Sequence, residues 1–329
     1  MKLLAKFNLK SADEIRNSLT LSQEKQIYQL YEDMYNDISK TIKRMGKNNT
    51  LQKTQLMLIK REIEGQVKQI GDEIQTGIIG NITQTSRAVV EDTRKFLKRC
   101  GFENIENAFH YVPDTIVKRI VSGDVYKGNW TLSKAIWGHT NDFNTKLTRI
   151  IAEGTKYGKS AYDVAKDLEM YVNPSKTKKS KVIKFQKYMR DSKGKFILDK
   201  NGNKIPDGRE RKFYFGNVDY NAQRLARTMI SHAYQQSFEI VNENDPFVTG
   251  YIWHSSGQHG RTCQLCLDRD GKIFKKNELP LDHPNGMCTF EAYIPDSMDE
   301  IAKKIGMWYQ SPVGTYPELD RYALDFMEG

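Results

Sequence analysis

Cys263, Cys266, His283 and Cys288 are the residues whose types and spacing could do chemistry in this chain. They read as C-x2-C, a spacer of sixteen residues, then H-x4-C, so three of the four cysteines fall within twenty-six of 329 residues. Thiolate and imidazole are the donors tetrahedral zinc prefers, and a C-x2-C turn can aim two sulfurs at one ion. With protein filling all four positions, such a zinc would be structural and not catalytic. Two other readings stay open. Cysteines also serve as small buried apolar residues. A C-x2-C pair can be a redox motif, although no thioredoxin-like strand–helix pattern surrounds this one. The spacer holds Asp270-Gly271 and Pro280, which suit a strand pair that turns back on itself. The stretch from His283 to Cys288 is turn-rich and could close the site.

The elements that must position these residues are mostly helical. Ser11 to Glu14 reads as a capping box. From Ser22, the residues Ile27, Leu30, Tyr31, Met34, Ile38 and Ile42 recur at helical spacing, ending near Gly46. A second stretch carries Leu56, Ile59, Ile63, Val67, Ile70 and Ile74. It could run on through Ile78 and Ile82 toward Leu97, with Gly77 or Gly80 as a break. Two such helices, each with one apolar stripe, are expected to pack as a hairpin. Leu132, Ile136, Phe143, Leu147 and Ile150 mark a shorter helix, Ser160 caps the next, and Trp130 and Trp137 are expected core anchors. Further on, Ala222, Leu225, Met229 and Ala233 line one face of a helix capped by Asp219, with Arg224 and Arg227 on its polar side. Ser297 to Glu300 is another capping box.

Between these helices the charge is uneven. Residues 174–212 hold fourteen Lys or Arg against four Asp or Glu, and the rest of the chain carries thirty-seven of each sign. The whole net charge of +10 therefore lies in that segment. Its strand-like pieces, with turn signals at Ser192-Lys193-Gly194 and Asn201-Gly202, read as a basic β-hairpin insert. The candidate contacts to nucleic acid are Lys176, Lys178, Lys179, Lys181, Lys184, Lys187, Arg190, Lys193, Lys195, Arg209, Arg211 and Lys212. They suit phosphate backbone without sequence readout. The competing reading is a solvated hairpin whose lysines discourage edge-to-edge pairing. Asp199, Asn201, Asn203, Asp207 and Glu210 match part of a calcium-loop template, but Lys204 stands where the template needs glycine, so the segment reads as a hairpin turn.

The fold class read from these patterns is α+β. Residues 1–173 form a helix-rich region with a long helical hairpin, and 174–216 the basic β-hairpin insert. Residues 217–312 form a small C-terminal α+β domain with the Cys/His cluster, and 313–329 a tail. Length indicates two or three domains. Mean hydropathy is −0.66 and the chain is 28% charged, so a water-soluble protein, extended or completed by partner subunits, is expected. No run of about eighteen apolar residues marks a membrane span. Neither a signal-peptide core nor a disulfide framework is present, so synthesis in the cytoplasm is expected. The absence of G-x-x-x-x-G-K-[ST] excludes an ATPase packaging motor.

The order of parts resembles the C-terminal domain of phage Mu F-like minor head proteins, the phage head morphogenesis family. The residues that carry it are Leu225-Ala226-Arg227-Thr228 in a helix, Trp253, Arg261 to Cys266, Asp270-Gly271, His283-Pro284 and Cys288. The likeness is sharpest over residues 220–294. Two departures stand out. The family often shows HPxCxC, where this chain has Gly286 at the first cysteine, and Met229 replaces the acid of an ARTE sequence. The resemblance implies a low-copy component of a tailed-phage head, inside the capsid near the portal, needed for head assembly, with some relatives thought to leave with the genome. Its implied partners are portal protein, capsid or scaffolding protein and double-stranded DNA bound non-specifically, with no membrane during assembly. It implies the host cytoplasm during assembly, the virion interior afterwards, and no enzymatic activity. The alternative is a phage-encoded nuclease or other DNA-processing enzyme with a zinc-supported site, for which His254, His259, Asp268 and Asp270 are the residues to watch.

Overall fold

The computed structural model describes residues 9–44, 53–99, 105–126, 128–174, 181–215, 218–257 and 262–327. Among the described residues there are nine helices, a two-stranded antiparallel ladder and a three-stranded antiparallel sheet, an α+β fold. Two compact units interleave along the chain. One comprises residues 1–23, 76–132 and 224–329, the other 24–75 and 133–223. The helices α1 (Lys10–Arg44), α2 (Lys53–Arg99) and α6 (Tyr220–Val241) each contribute residues to both units.

The long helical hairpin is present as expected. In the first unit the backbone N–H of Ala12 donates to Asp92 at 2.8 Å, and Asn81 reaches Gln23. In the second, Thr41 reaches Glu62 at 3.4 Å. Sequence positions that rise in one helix and fall in the other define an antiparallel pair. The stripe Ile27, Met34, Ile38 and Ile42 is buried, as are Ile59, Ile63, Val67, Ile78 and Ile82, the one-sided burial of an amphipathic helix. Two local readings need correction. Ser11 lies inside α1 and not at its start. Gly77 does not break α2; a Cβ there would press on the Gln23 amide at 2.8 Å, so glycine permits close helix approach.

In the second unit, α4 (Leu132–Lys156) and α5 (Ala161–Val172) join this pair. Ser160 caps α5 by accepting from the Asp163 N–H at 3.1 Å. Trp137 is 61% exposed and is not a core anchor. The buried residues of α4 are Leu132, Ile136, Phe143, Leu147 and Ile150, and position 137 falls one step off that stripe. Trp130, of the first unit, is half-buried, with its ring 4.2 Å from that of Tyr126. The hairpin consists of β1 (Lys181–Tyr188) and β2 (Pro206–Phe215), with register running from Lys181 opposite Phe215 to Gln186 opposite Glu210, then shifting to set Tyr188 opposite Pro206. Phe185 and Phe213 are buried and meet edge to face at 5.3 Å. Asp191 and Asp199 each close a turn by accepting two backbone N–H groups at 2.8–2.9 Å. The Asp199 carboxylate is thereby used locally, as the hairpin-turn reading expects.

The first unit holds the Cys/His segment. Helix α3 (Val112–Ser122) is followed in this unit by most of α6 (Tyr220–Val241). The sheet has the order β4 (Ile273–Lys275), β3 (Gly250–His254), β5 (Thr289–Tyr293). The spacer strand β4 pairs with β3, upstream of Cys263, so the spacer does not fold back on itself as its turn residues indicated. Trp253 on β3 is 0% exposed, with its ring centre 5.0 Å from that of Phe290 and 6.1 Å from that of Phe274, both edge-on. Its burial stabilises the unit by roughly 3 kcal/mol. Helix α7 (Gln264–Arg269) lies between β3 and β4. Helix α8 (Met298–Tyr309) opens with the full capping box of Ser297 and Glu300. The expected tail is in part a helix, α9 (Pro317–Met327), held where Trp308 donates to Asp320 at 2.7 Å and Tyr322 to Asp245 at 3.2 Å.

Candidate metal centre

Cys263 is the residue before the first turn of α7, and Cys266 lies one turn on, its N–H donating to the Cys263 carbonyl at 3.1 Å. The start of a helix therefore sets the C-x2-C spacing. It puts Cys263 at the exposed rim and Cys266 inside, 2% exposed. The imidazole Nε2 of His283 stands 3.1 Å from the sulfur of each. Cys288, also 2% exposed, brings its sulfur to 3.4 Å from that of Cys266. Two overlapping donor groups result, each with all atoms within 4.8 Å of one another: Cys263, Cys266 and His283, and Cys266, Asp282 and Cys288. Of the four residues singled out by spacing, Cys263, Cys266 and His283 share the first group, and Cys288 belongs to the second, joined to it through Cys266. Asp282 is an addition the spacing does not reveal.

The donor chemistry suits a metal. His283 directs Nδ1 at the Pro284 carbonyl, 2.9 Å away. That bond fixes the proton on Nδ1 and leaves the Nε2 lone pair facing the two sulfurs, the tautomer a metal-binding imidazole needs. Burial opposes protonation of His283, but the Pro284 carbonyl and the Asp282 charge outweigh it and raise its pKa. The N–H of Cys266 holds the Cys263 thiol below its usual range, while burial pushes those of Cys266 and Cys288 up. Two buried thiols that resist ionisation on their own are stabilised as thiolates by a cation, which then competes with protons.

The loop from Asp282 to Cys288 is fastened to one face of α6. Arg227 donates to the Asn285 side chain at 2.7 Å, and Thr228 accepts the Asn285 N–H at 3.1 Å. Ser231 donates to the Gly286 carbonyl at 2.6 Å, and His232 Nε2 meets the Asp282 carbonyl at 2.9 Å. Gln235 accepts the Asp282 N–H at 2.9 Å and donates to the Pro280 carbonyl at 3.0 Å. Positions 227, 228, 231, 232 and 235 repeat at helical spacing, so these bonds come from a single face. Burial lowers the pKa of His232, and its Nδ1 is 2.9 Å from the Tyr126 hydroxyl. Asp282 locks the loop from within, accepting the His283 N–H at 2.8 Å and the Cys288 N–H at 3.2 Å. Asn285 has φ of 67°, which asparagine tolerates. A Cβ at position 286 would land on the Asp282 carboxylate, so the glycine there makes room for that group.

Arg16 of α1 completes the surround. It is 1% exposed, donates to the Cys288 carbonyl at 2.9 Å and the Met287 carbonyl at 3.2 Å, pairs with Asp13 and lies over the Tyr234 ring at 4.4 Å. Sequence reading missed Arg16 entirely. It also missed the polar face of α6, although recurring Thr228, Ser231, His232 and Gln235 inside a helix were a signal of buried hydrogen bonding.

Glu239, one turn beyond Gln235, accepts from Gln235 at 2.9 Å and Gln236 at 3.1 Å. Burial pushes its carboxyl up to about 7 from an ordinary 4.5, against the opposing pull of Gln235 and Arg119. The folded state thus holds this proton more tightly than the unfolded chain. The stability gained is complete below the ordinary value and is lost as pH rises through about 7. Glu239→Gln is expected to raise stability at pH 8 by on the order of 1–2 kcal/mol and to leave it nearly unchanged at pH 4. Paired melting curves at the two pH values check this.

The candidate nucleic-acid residues divide. Lys176, Lys178 and Lys179 lie outside the described residues, and Lys181 starts β1. Lys184 and Lys212 both lie 3.7 Å from Glu210, and Arg209 pairs with Asp207 at 3.0 Å. Arg211 is 3.9 Å from Glu153. Arg190 donates to two backbone carbonyls at 2.7 Å. Among the described residues, the side chains of Lys187, Lys193 and Lys195 have no ion pair. Of the residues considered for a nuclease, His259 lies outside the described residues and His254 pairs with Glu291 at 3.0 Å. Asp268 accepts from Gln264 at 2.6 Å, and Asp270 accepts the Ser255 N–H at 2.7 Å. None of these three joins a metal-competent group among the described residues.

No family model, no curated protein and no solved structure matches this chain. Among the described residues, no helix is long and apolar enough to cross a membrane.

Proposed function

We propose that this chain is a minor head protein of a tailed bacteriophage, acting inside the capsid near the portal in head assembly and touching DNA without sequence preference. The observation that supports the reading is the convergence of Cys263, Cys266 and His283, with the Cys288 sulfur 3.4 Å from that of Cys266. These are residues on which the resemblance to the Mu F-like proteins rests. The α6 segment at Arg227 and Thr228, part of the same resemblance, holds the loop that bears His283. Zinc is the metal proposed, because sulfur and imidazole donors in a closed site favour it over hard cations. Bound there it would be held by three thiolates and one imidazole, tie α7 to the 282–288 loop, and stabilise the fold without chemistry of its own. The long helices are the proposed docking elements for portal, capsid or scaffolding protein.

The test is affinity capture of the tagged protein from lysate of infected cells. Portal protein among the captured chains is the expected result, and its absence at every stage of head assembly overturns the reading.

The second reading, a nuclease, draws on one feature. The His254–Glu291 pair lines a cavity of about 280 Å³ that also takes in Asp13 and Tyr234. Plasmid cleavage in Mg²⁺ or Zn²⁺ that His254→Ala abolishes would replace the structural role with the enzymatic one.

A further inference from the structure

Within the second unit, the basic hairpin and the end of α4 enclose a cavity of about 690 Å³. Four cations line it: Lys156 on the last turn of α4, Lys187 on β1, Arg190 just beyond β1, and Arg211 on β2. One carboxylate, Asp207, also lines it, and Arg209 already engages it at 3.0 Å.

The chain holds this cleft in shape. Arg190 donates to the Lys156 and Gly194 carbonyls at 2.7 Å each, and Lys204 donates to the Gly158 carbonyl. Both cations thus satisfy carbonyls at or just beyond the negative end of the α4 dipole. Gly158 has φ of 73°, and a Cβ there would collide with Phe196. Arg211 is steadied by Glu153 at 3.9 Å and the Tyr157 hydroxyl at 3.4 Å. Two ammonium groups remain without an anion. Among the described residues Lys187 has no hydrogen bond or ion pair through its side chain, and Lys156 has only the Tyr157 ring at 5.8 Å. Two of the three aromatic walls, Tyr157 and Phe196, are already engaged. Tyr157 is buried, and Arg190 and Lys204 lie 3.9 Å and 4.8 Å from the Phe196 ring centre. Recognition here is by charge, which favours a backbone whose bases are hidden.

We infer that this cleft seats phosphates of duplex DNA, with Lys156 and Lys187 as the direct contacts and Arg190 and Arg211 as its fixed walls. The inference rests on the DNA contact in the proposed function. It moves that contact from the outer face of the hairpin into the cleft and adds the helical residue Lys156.

The test is binding of a labelled duplex of arbitrary sequence, titrated with salt. Three proteins are compared: the unchanged chain, Lys156→Gln with Lys187→Gln, and Lys193→Gln with Lys195→Gln on the outer turn. The cleft pair is expected to lower the slope of log affinity against log salt by about 2, and the outer pair to leave it. Inorganic tripolyphosphate is expected to compete with the duplex only where the cleft is intact. An unaltered slope in the cleft pair overturns the cleft, and if the outer pair loses binding, DNA contact itself survives. Tripolyphosphate binding without duplex binding assigns the cleft to small phosphates and overturns its DNA role. A chain that binds neither overturns the cleft and the DNA contact together.

Discussion

Cys266→Ser is expected to abolish metal binding and to give the largest loss of stability of any single change at the Cys/His centre. Cys266 is the one residue common to both donor groups, and its sulfur faces His283 and Cys288 at 3.1 Å and 3.4 Å. Serine supplies a hard, poorly ionising hydroxyl in place of a thiolate. Structural zinc contributes on the order of 10 kcal/mol in small metal-dependent domains. Here the sheet and α6 remain, so the loss is confined to α7 and the 282–288 loop, and a fall of several kcal/mol is expected. Cys263→Ser, at the exposed rim, is the milder comparison. Elemental analysis of the purified protein and melting with and without chelator measure the effect. A metal-free preparation whose melting ignores chelator removes the zinc assignment.

Arg16→Leu is the second large effect, of about 3 kcal/mol. The side chain is 1% exposed and supplies donors to the carbonyls of Met287 and Cys288. Leucine keeps much of the volume but leaves two carbonyls short of a donor and Asp13 without its guanidinium. Because one of those carbonyls belongs to Cys288, a proposed metal ligand, metal affinity should fall as well, by about 10–100-fold. Competition with a chelating dye reads the affinity, and denaturant unfolding reads the stability. Lost stability with unchanged metal affinity would confine Arg16 to packing.

Much of the helical architecture could be read directly, because apolar residues at helical spacing must find a common side. The stripes of α1 and α2 and the caps at Ser160 and Ser297 are of this kind. The Cys/His cluster was readable for a related reason, since thiol and imidazole spacing reflects one local turn and one loop. What escaped was everything decided by distant partners. Trp137 looks like a core residue until the helix is placed and its side turns outward. The 270–280 spacer looks like a hairpin until β3 takes its strand as a partner. Gly286 looks like a missing cysteine until the Asp282 carboxylate is seen to need the space. Arg16 is separated by 272 positions from the carbonyl it serves, and no local pattern announces that bond.

That separation also bears on how the protein comes to be made. On a ribosome adding about 5–20 residues per second, Arg16 is added roughly 14–54 s before Cys288. Until then the guanidinium is left to Asp13 and to water. Contacts of such long range close late and slow the search for the native state. The loop that bears Met287 and Cys288 is thus a closing step of biosynthesis, and a chain interrupted before residue 287 would leave Arg16 without the two carbonyls it serves.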